Sequence, residues 1–81
     1  MRFIPMQSSN LAGVSYDQSN EILYAQFANG SVYRYHGVDA DAVLSVLFDP
    51  DSQGRAFNAN IKSGPYPYEK VENIEEIGLH V

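Results

Sequence analysis

Two stretches of this chain carry side chains able to do chemistry. Tyr33-Arg34-Tyr35-His36 sets two phenols on one side of an extended segment, about 6 to 7 Å apart by strand geometry, a spacing on which planar rings stack. Gly54-Arg55-Ala56-Phe57-Asn58-Ala59-Asn60-Ile61-Lys62 sets Arg55, Asn58 and Lys62 at helical intervals of three and four on one flank, with Phe57 and Ile61 on the other. Gly54 near a helix start allows close backbone approach, and free N–H groups beside Arg55 suit an anion or a phosphate. Tyr66-Pro67-Tyr68 adds a rigid extended segment with two more phenols, because each Pro keeps the residue before it out of the helical region.

Each stretch has a structural reading beside the chemical one. Tyr33 and Tyr35 can pack under helices with only their hydroxyls in water, leaving Arg34 exposed. Asn58 can bond a loop carbonyl, with Arg55 and Lys62 solvated or paired with Asp49 and Asp51. Tyr66 and Tyr68 can staple the C-terminal segment over a sheet. The arrangement that joins the chemical readings is a groove with walls from Tyr33, Tyr35, Tyr66 and Tyr68 and a polar floor from Arg34, Arg55, Asn58 and Lys62. Such a groove fits a single nucleotide or a short single strand better than a duplex.

Catalysis finds little support. The 81 residues contain no Cys, which removes thiolate nucleophiles and thiolate metal sites, and the two His, His36 and His80, stand in no ligand spacing. Asp39 and Asp41, and Asp49 and Asp51, are explained by helix capping and turn formation. The segment Asp49 to Gly54 has neither the acidic twelfth position of a calcium loop nor room there for Pro50. The expectation is a protein that is not an enzyme, with no metal and no cofactor.

The elements that must position these residues follow from pattern. Leu11 to Asp17, Glu21 to Phe27 and Ser31 to Gly37 are rich in Tyr, Val, Ile and Phe and separated by turn residues, the signature of a strand meander. At Asn29-Gly30, a two-residue turn would gather Tyr24, Tyr33 and Tyr35 on one face. A three-residue Ala28-Asn29-Gly30 loop would instead pair Phe27 with Ser31 and align Leu23, Ala25, Phe27, Tyr33 and Tyr35. The second is preferred, because it keeps Arg34 and His36 off the apolar side. Asp39 caps a first helix whose apolar face is Val43, Leu44, Val46, Leu47 and Phe48, stopped by Pro50. Ser52 caps a second, Gln53 to Lys62, ended by Ser63-Gly64-Pro65. Met1 to Ser9 reads as a lead-in strand or an irregular segment. The predicted fold is α+β: a small three-stranded antiparallel meander, two helices packed on one face, and a short extended C-terminal segment.

One domain spans residues 1–81. Hydrophobic residues at 44% and charged residues at 19% are those of a folding chain, although a domain this small buries only about 60 to 65% of its unfolded surface. The formal charge of −5 disfavours a gripper of duplex phosphates, but Glu69, Glu72, Glu75 and Glu76 concentrate it near the C-terminus. The body is nearly balanced, so phosphate binding at a basic flank stays open. No apolar run is long enough to cross a bilayer and the N-terminus lacks a signal-peptide core, so a cytoplasmic location and no membrane partner are expected. Residues 72–81 form an acidic extension, and Val71 with Ile74, Ile77 and Leu79 repeats an apolar spacing suited to packing on the body or on a partner.

Ser8-Ser9-Asn10, Tyr16-Asp17, Leu23, Phe27, Gly30, Tyr33-Arg34-Tyr35, Val38, Gly54, Phe57-Asn58, Ile61-Lys62 and Tyr66-Pro67-Tyr68 together resemble the KTSC domain. That family is found at the C-terminus of some lysyl-tRNA synthetases and as a free-standing small bacterial or phage protein. The resemblance covers residues 8–71 and implies RNA binding. This chain departs from the family in having Asp39 where Pro is frequent, and Ala56, Ala59, Asn60 and Ser63 where cations are frequent. The function expected is a non-enzymatic binding module for single-stranded RNA, an oligonucleotide or a nucleotide, through Tyr33, Arg34, Tyr35, Arg55, Asn58, Lys62, Tyr66 and Tyr68. The rival is a protein-interaction or homo-oligomerising module, such as a phage protein that sequesters a host factor or signal.

Overall fold

The computed structural model describes residues 2–72. Its sheet has five antiparallel strands in chain order, β1 (Ile4–Pro5), β2 (Leu11–Asp17), β3 (Ile22–Phe27), β4 (Val32–His36) and β5 (Tyr68–Lys70). Helix α1 (Ala40–Leu47), helix α2 (Gln53–Phe57) and a π-helical turn, Asn58–Lys62, lie between β4 and β5. The fold is α+β as expected, with five strands where three were expected. The lead-in supplies β1, and the segment after Tyr66-Pro67 finds the free edge of β4 instead of remaining a single extended chain.

The hairpin between β3 and β4 takes the three-residue form. Gly30 adopts φ +92, the Phe27 N–H donates to the Ser31 carbonyl at 2.8 Å, and Ala25 and Leu23 stand opposite Tyr33 and Tyr35. A positive φ suits Gly because it has no Cβ. The resulting register turns Leu23, Ala25 and Tyr35 toward the helices. There they bury together with Val14, Val38, Val43, Val46, Phe57 and Ile61 in the main core. The opposite face carries a smaller cluster, Tyr24, Val32 and Val71, packed with Phe3 and Ile22.

Both expected caps form. The Asp39 carboxylate accepts the Ala42 N–H at 2.9 Å, and the Ser52 hydroxyl accepts the Arg55 N–H at 3.2 Å. Phe57 and Ile61 are buried, as their spacing required. Phe48 is corrected: expected in the core, it is 76% exposed, and Leu44 is 47% exposed. Phe48 is the C-cap of α1, where the backbone leaves helical geometry, so the periodicity that buries Val43 and Val46 no longer aims its ring inward. Val71 is buried, while the rest of the apolar repeat, Ile74, Ile77 and Leu79, lies outside the described residues.

The chain before β2 is tied to the second helix. The Gln53 side-chain oxygen accepts the Gln7 N–H at 2.7 Å, and its amide donates to the Leu47 carbonyl at 2.9 Å. The Ser8 hydroxyl accepts from the Asn10 and Leu11 N–H groups and sits against Gly54, where an added Cβ would lie 2.5 Å from it. Gly54→Ala is therefore expected to displace that hydroxyl and leave the Leu11 donor poorly satisfied, costing about 1 to 3 kcal/mol. Thermal unfolding checks this: the loss should shrink sharply when Gly54→Ala is made in a Ser8→Gly background, since the atoms it strikes are then gone.

Candidate functional site

A cleft of about 550 Å³ lies between the β3–β4 hairpin and the end of the π turn. Phe27, Tyr33, Tyr35 and Tyr68 give its aromatic lining; Asn10, Asn29, Ser31 and Lys62 give its polar groups. The hairpin register places Tyr33 and Tyr35 on the helix side of the sheet, and the pairing of Tyr35 with Tyr68 brings the β5 phenol to the same side.

These rings form a connected set. Tyr35 meets Phe57 edge-on at 5.6 Å between centroids, Phe27 meets Tyr33 edge-on at 5.7 Å, and Tyr68 lies tilted 5.6 Å from Tyr35 and 6.2 Å from Tyr33. Tyr35 is buried, Tyr33 half-buried and Tyr68 62% exposed, so the set runs from the core outward to a wall in water. Burial pushes the Tyr35 phenol above its ordinary value, helped by the neighbouring Tyr68 and Tyr33 phenols. None of these three hydroxyls is bonded to another described residue, which leaves all three for a ligand or water.

Lys62 is brought to the cleft by the π turn. Its ammonium stands 5.7 Å from the Phe27 ring centroid, within cation–π range. A regular helix would have stacked Lys62 over Arg55, seven residues earlier. The wider turn, closed by the Ser63 N–H donating to the Asn58 carbonyl at 2.9 Å, advances fewer degrees per residue and swings Lys62 toward the hairpin.

The expected groove does not assemble as a single site. Tyr33, Tyr35, Tyr68 and Lys62 come together, but Arg34, Arg55, Asn58 and Tyr66 do not line the cleft. Arg34 alternates with its tyrosine neighbours and so faces the other side of the sheet, where its Nε meets a Glu69 carboxylate oxygen at 2.7 Å and its guanidinium also reaches Tyr24. Arg55 lies in a separate cleft of about 200 Å³ with Asp49, Asp51 and Asn60. Asp49 there accepts the Asp51 and Ser52 N–H groups at 2.9 and 2.8 Å, bonds that hold its carboxyl below the usual range. The close approach to Gly54 expected of an anion is made by the Ser8 hydroxyl, and the Arg55 N–H is taken by Ser52. Asn58 is exposed on the helix flank, and Tyr66 packs against the main core.

Sequence reasoning missed Phe27 as a wall and Asn10, Asn29 and Ser31 as polar groups of the cleft. The available signal was the bulged hairpin: once Phe27 pairs with Ser31, the turn residues border whatever Tyr33 faces. Asn10 is carried there by backbone pairing, its carbonyl accepting the Ala28 N–H at 2.8 Å.

Such a site belongs to a small α+β domain whose meander closes over two inserted helices. Residues 7–68 match the KTSC domain family, and the chain belongs to that family. It is 36% identical over 72 residues to an uncharacterized protein of Stutzerimonas stutzeri (strain A1501), a match covering 89% of this chain and 100% of that one. The crystal structure of the KTSC domain protein YPO2434 from Yersinia pestis is similar, with a TM-score of 0.75 and 31% identity over 86% of this chain and 96% of that one.

Behind the cleft, one Glu69 oxygen meets both Arg34 Nε and His36 Nε2, the latter at 3.2 Å. The hydrogen bond from His36 and the charge of Arg34 hold the Glu69 carboxyl below the usual carboxylate range. A depressed folded-state value means the stabilisation is present above the unfolded value of about 4.3 and is lost as pH falls through the folded one. Replacement Glu69→Gln should therefore lower the melting temperature near pH 6, and the gap from the parent chain should close as the pH is taken down through the acid range. An equal gap at every pH would mean that the carboxylate charge contributes nothing.

Proposed function

We propose that the protein is a non-enzymatic binding module whose aromatic cleft takes the base of a nucleotide or of single-stranded RNA. The observation that supports this reading is the convergence of Tyr33, Tyr35 and Tyr68, whose hydroxyls bond no other described residue, beside the ammonium of Lys62. An aromatic face stacks on any base for about 1 to 3 kcal/mol without requiring a positively charged protein. That resolves the conflict between the net charge of −5 and a nucleic-acid ligand. The cleft is concave and short of cations, which suits an unstacked base and not a duplex.

A second reading, a protein-interaction or homo-oligomerising module, is favoured by Leu44 and Phe48, exposed one helical turn apart on α1. Light scattering behind size exclusion separates the two: dimerisation abolished by Phe48→Ser would favour the second.

The nucleotide reading is checked by titrating the full chain with short oligoribonucleotides and nucleoside monophosphates. Tyr68→Ala should weaken binding about 5- to 150-fold, the affinity equivalent of one lost stack. Arg34→Ala and Arg55→Ala should leave it unchanged, since neither side chain lines the cleft. Oligonucleotide affinity should also fall only shallowly with salt, with a logarithmic slope near −0.7 for a single phosphate contact. No association at about 1 mM ligand would remove the proposal, because even a millimolar dissociation constant corresponds to about 4 kcal/mol.

A further inference from the structure

We infer that the cleft is divided into a base end and a phosphate end and takes one nucleotide unit bearing a single phosphate, in preference to a nucleoside or a triphosphate. This rests on the reading above and goes further in naming the ligand class.

The two ends are distinct. Tyr68 and Tyr35 lie at one, with centroids 5.6 Å apart, and Tyr68 keeps most of its ring in water. At the other is Phe27, with the Lys62 ammonium 5.7 Å from its ring centroid. Tyr33 stands between, 6.2 Å from Tyr68 and 5.7 Å from Phe27. A base against Tyr68 therefore has its sugar over Tyr33 and its phosphate toward Lys62.

The phosphate end carries donors besides Lys62. Phe27 bonds Ser31 through the backbone, and Ala28 bonds Asn10, so the side chains of Asn10, Asn29 and Ser31 gather around the same corner. The Asn29 side-chain oxygen is occupied by the Ser31 N–H at 3.0 Å, which leaves its NH₂ group to donate outward. One ammonium with amide and hydroxyl donors matches one phosphate.

A triphosphate is poorly matched. It brings about four negative charges, which proteins ordinarily meet with a bound divalent metal and further cations. Among the described residues Lys62 is the single cation lining the cleft, and no cluster of His, Asp and Glu could hold a metal ion. Arg34 is engaged by Glu69 across the sheet, and Arg55 lies in the other cleft beside Asp49 and Asp51. A cavity of about 550 Å³ lies in the usual 300 to 1,000 Å³ range of small-ligand sites.

Calorimetric titration of the full chain with adenosine, AMP and ATP, and with the corresponding uridine compounds, at about 0.15 M salt tests the division. In at least one series the monophosphate should bind about 10- to 100-fold more tightly than the nucleoside, as one charge-assisted contact provides. The triphosphate should bind more weakly than the monophosphate, its added charges finding no further cation. Lys62→Met should erase the advantage of the monophosphate while nucleoside binding persists. Tyr68→Ala should weaken nucleoside and monophosphate alike. A triphosphate bound as tightly as the monophosphate or more tightly, or a monophosphate equal to its nucleoside, overturns the division while leaving the nucleotide reading standing. Failure of all six compounds to associate at about 1 mM overturns both.

Discussion

The structure depends on the register of one hairpin. Side chains alternate along a strand, so a shift of one residue between β3 and β4 would exchange every partner across the sheet. The three-residue connection through Gly30 holds the arrangement in which Leu23, Ala25 and Tyr35 meet the helices and Tyr24, Arg34 and His36 face away. The core under α1 and α2 requires that choice, because Phe57 packs edge-on against both Phe27 and Tyr35. The cleft inherits it, since three of its four rings come from the same two strands.

The same alternation sorts charge. Tyr33 and Tyr35 enter the cleft, so Arg34 between them is carried to the reverse face, where Glu69 meets it from β5. Tyr68 and Glu69 are likewise neighbours in sequence that project to opposite sides. The strand that supplies the cleft wall is thus held from behind by an ion pair while its aromatic side stays available. Placing the cation on the reverse face leaves Lys62, delivered by the helix, to set the charge of the cleft.

Much of this is legible in the sequence. The strands β2, β3 and β4, the caps Asp39 and Ser52, and the buried pair Phe57 and Ile61 follow from alternation, turn chemistry and helical spacing, all local signals. Two short strands were left out of the count, the lead-in being open between strand and irregular and the C-terminal segment only extended: β1 and β5 have two and three residues, too few for periodicity, and exist because a neighbour offers an unpaired edge. The site was half legible. The tyrosines were identified by type, but grouping Arg55, Asn58 and Lys62 on one flank assumed an unbroken α-helix, and the π turn breaks that phase between Arg55 and Lys62. Gly54 was read as room for a ligand, whereas Ser8, distant in sequence, takes the space. Phe48 shows the same limit at a helix end, where spacing continues in sequence after the geometry has stopped.

The pairing of β4 with β5 has a consequence for how the molecule comes into being. Both helices intervene between Tyr35 and its partner Tyr68, so this contact closes a longer loop than any other strand pairing in the sheet and carries a larger chain-entropy cost than any pairing within the β2–β4 meander. During synthesis the meander and the helices leave the ribosome before Tyr68 does. The body can collapse on Phe57 and Ile61 while one wall of the cleft has yet to arrive. In the finished protein, a strand of three exposed residues is also an element suited to local opening at less than the global free energy of unfolding. The strand whose pairing carries the largest chain-entropy cost in the sheet is therefore also the one whose fraying would expose the cleft.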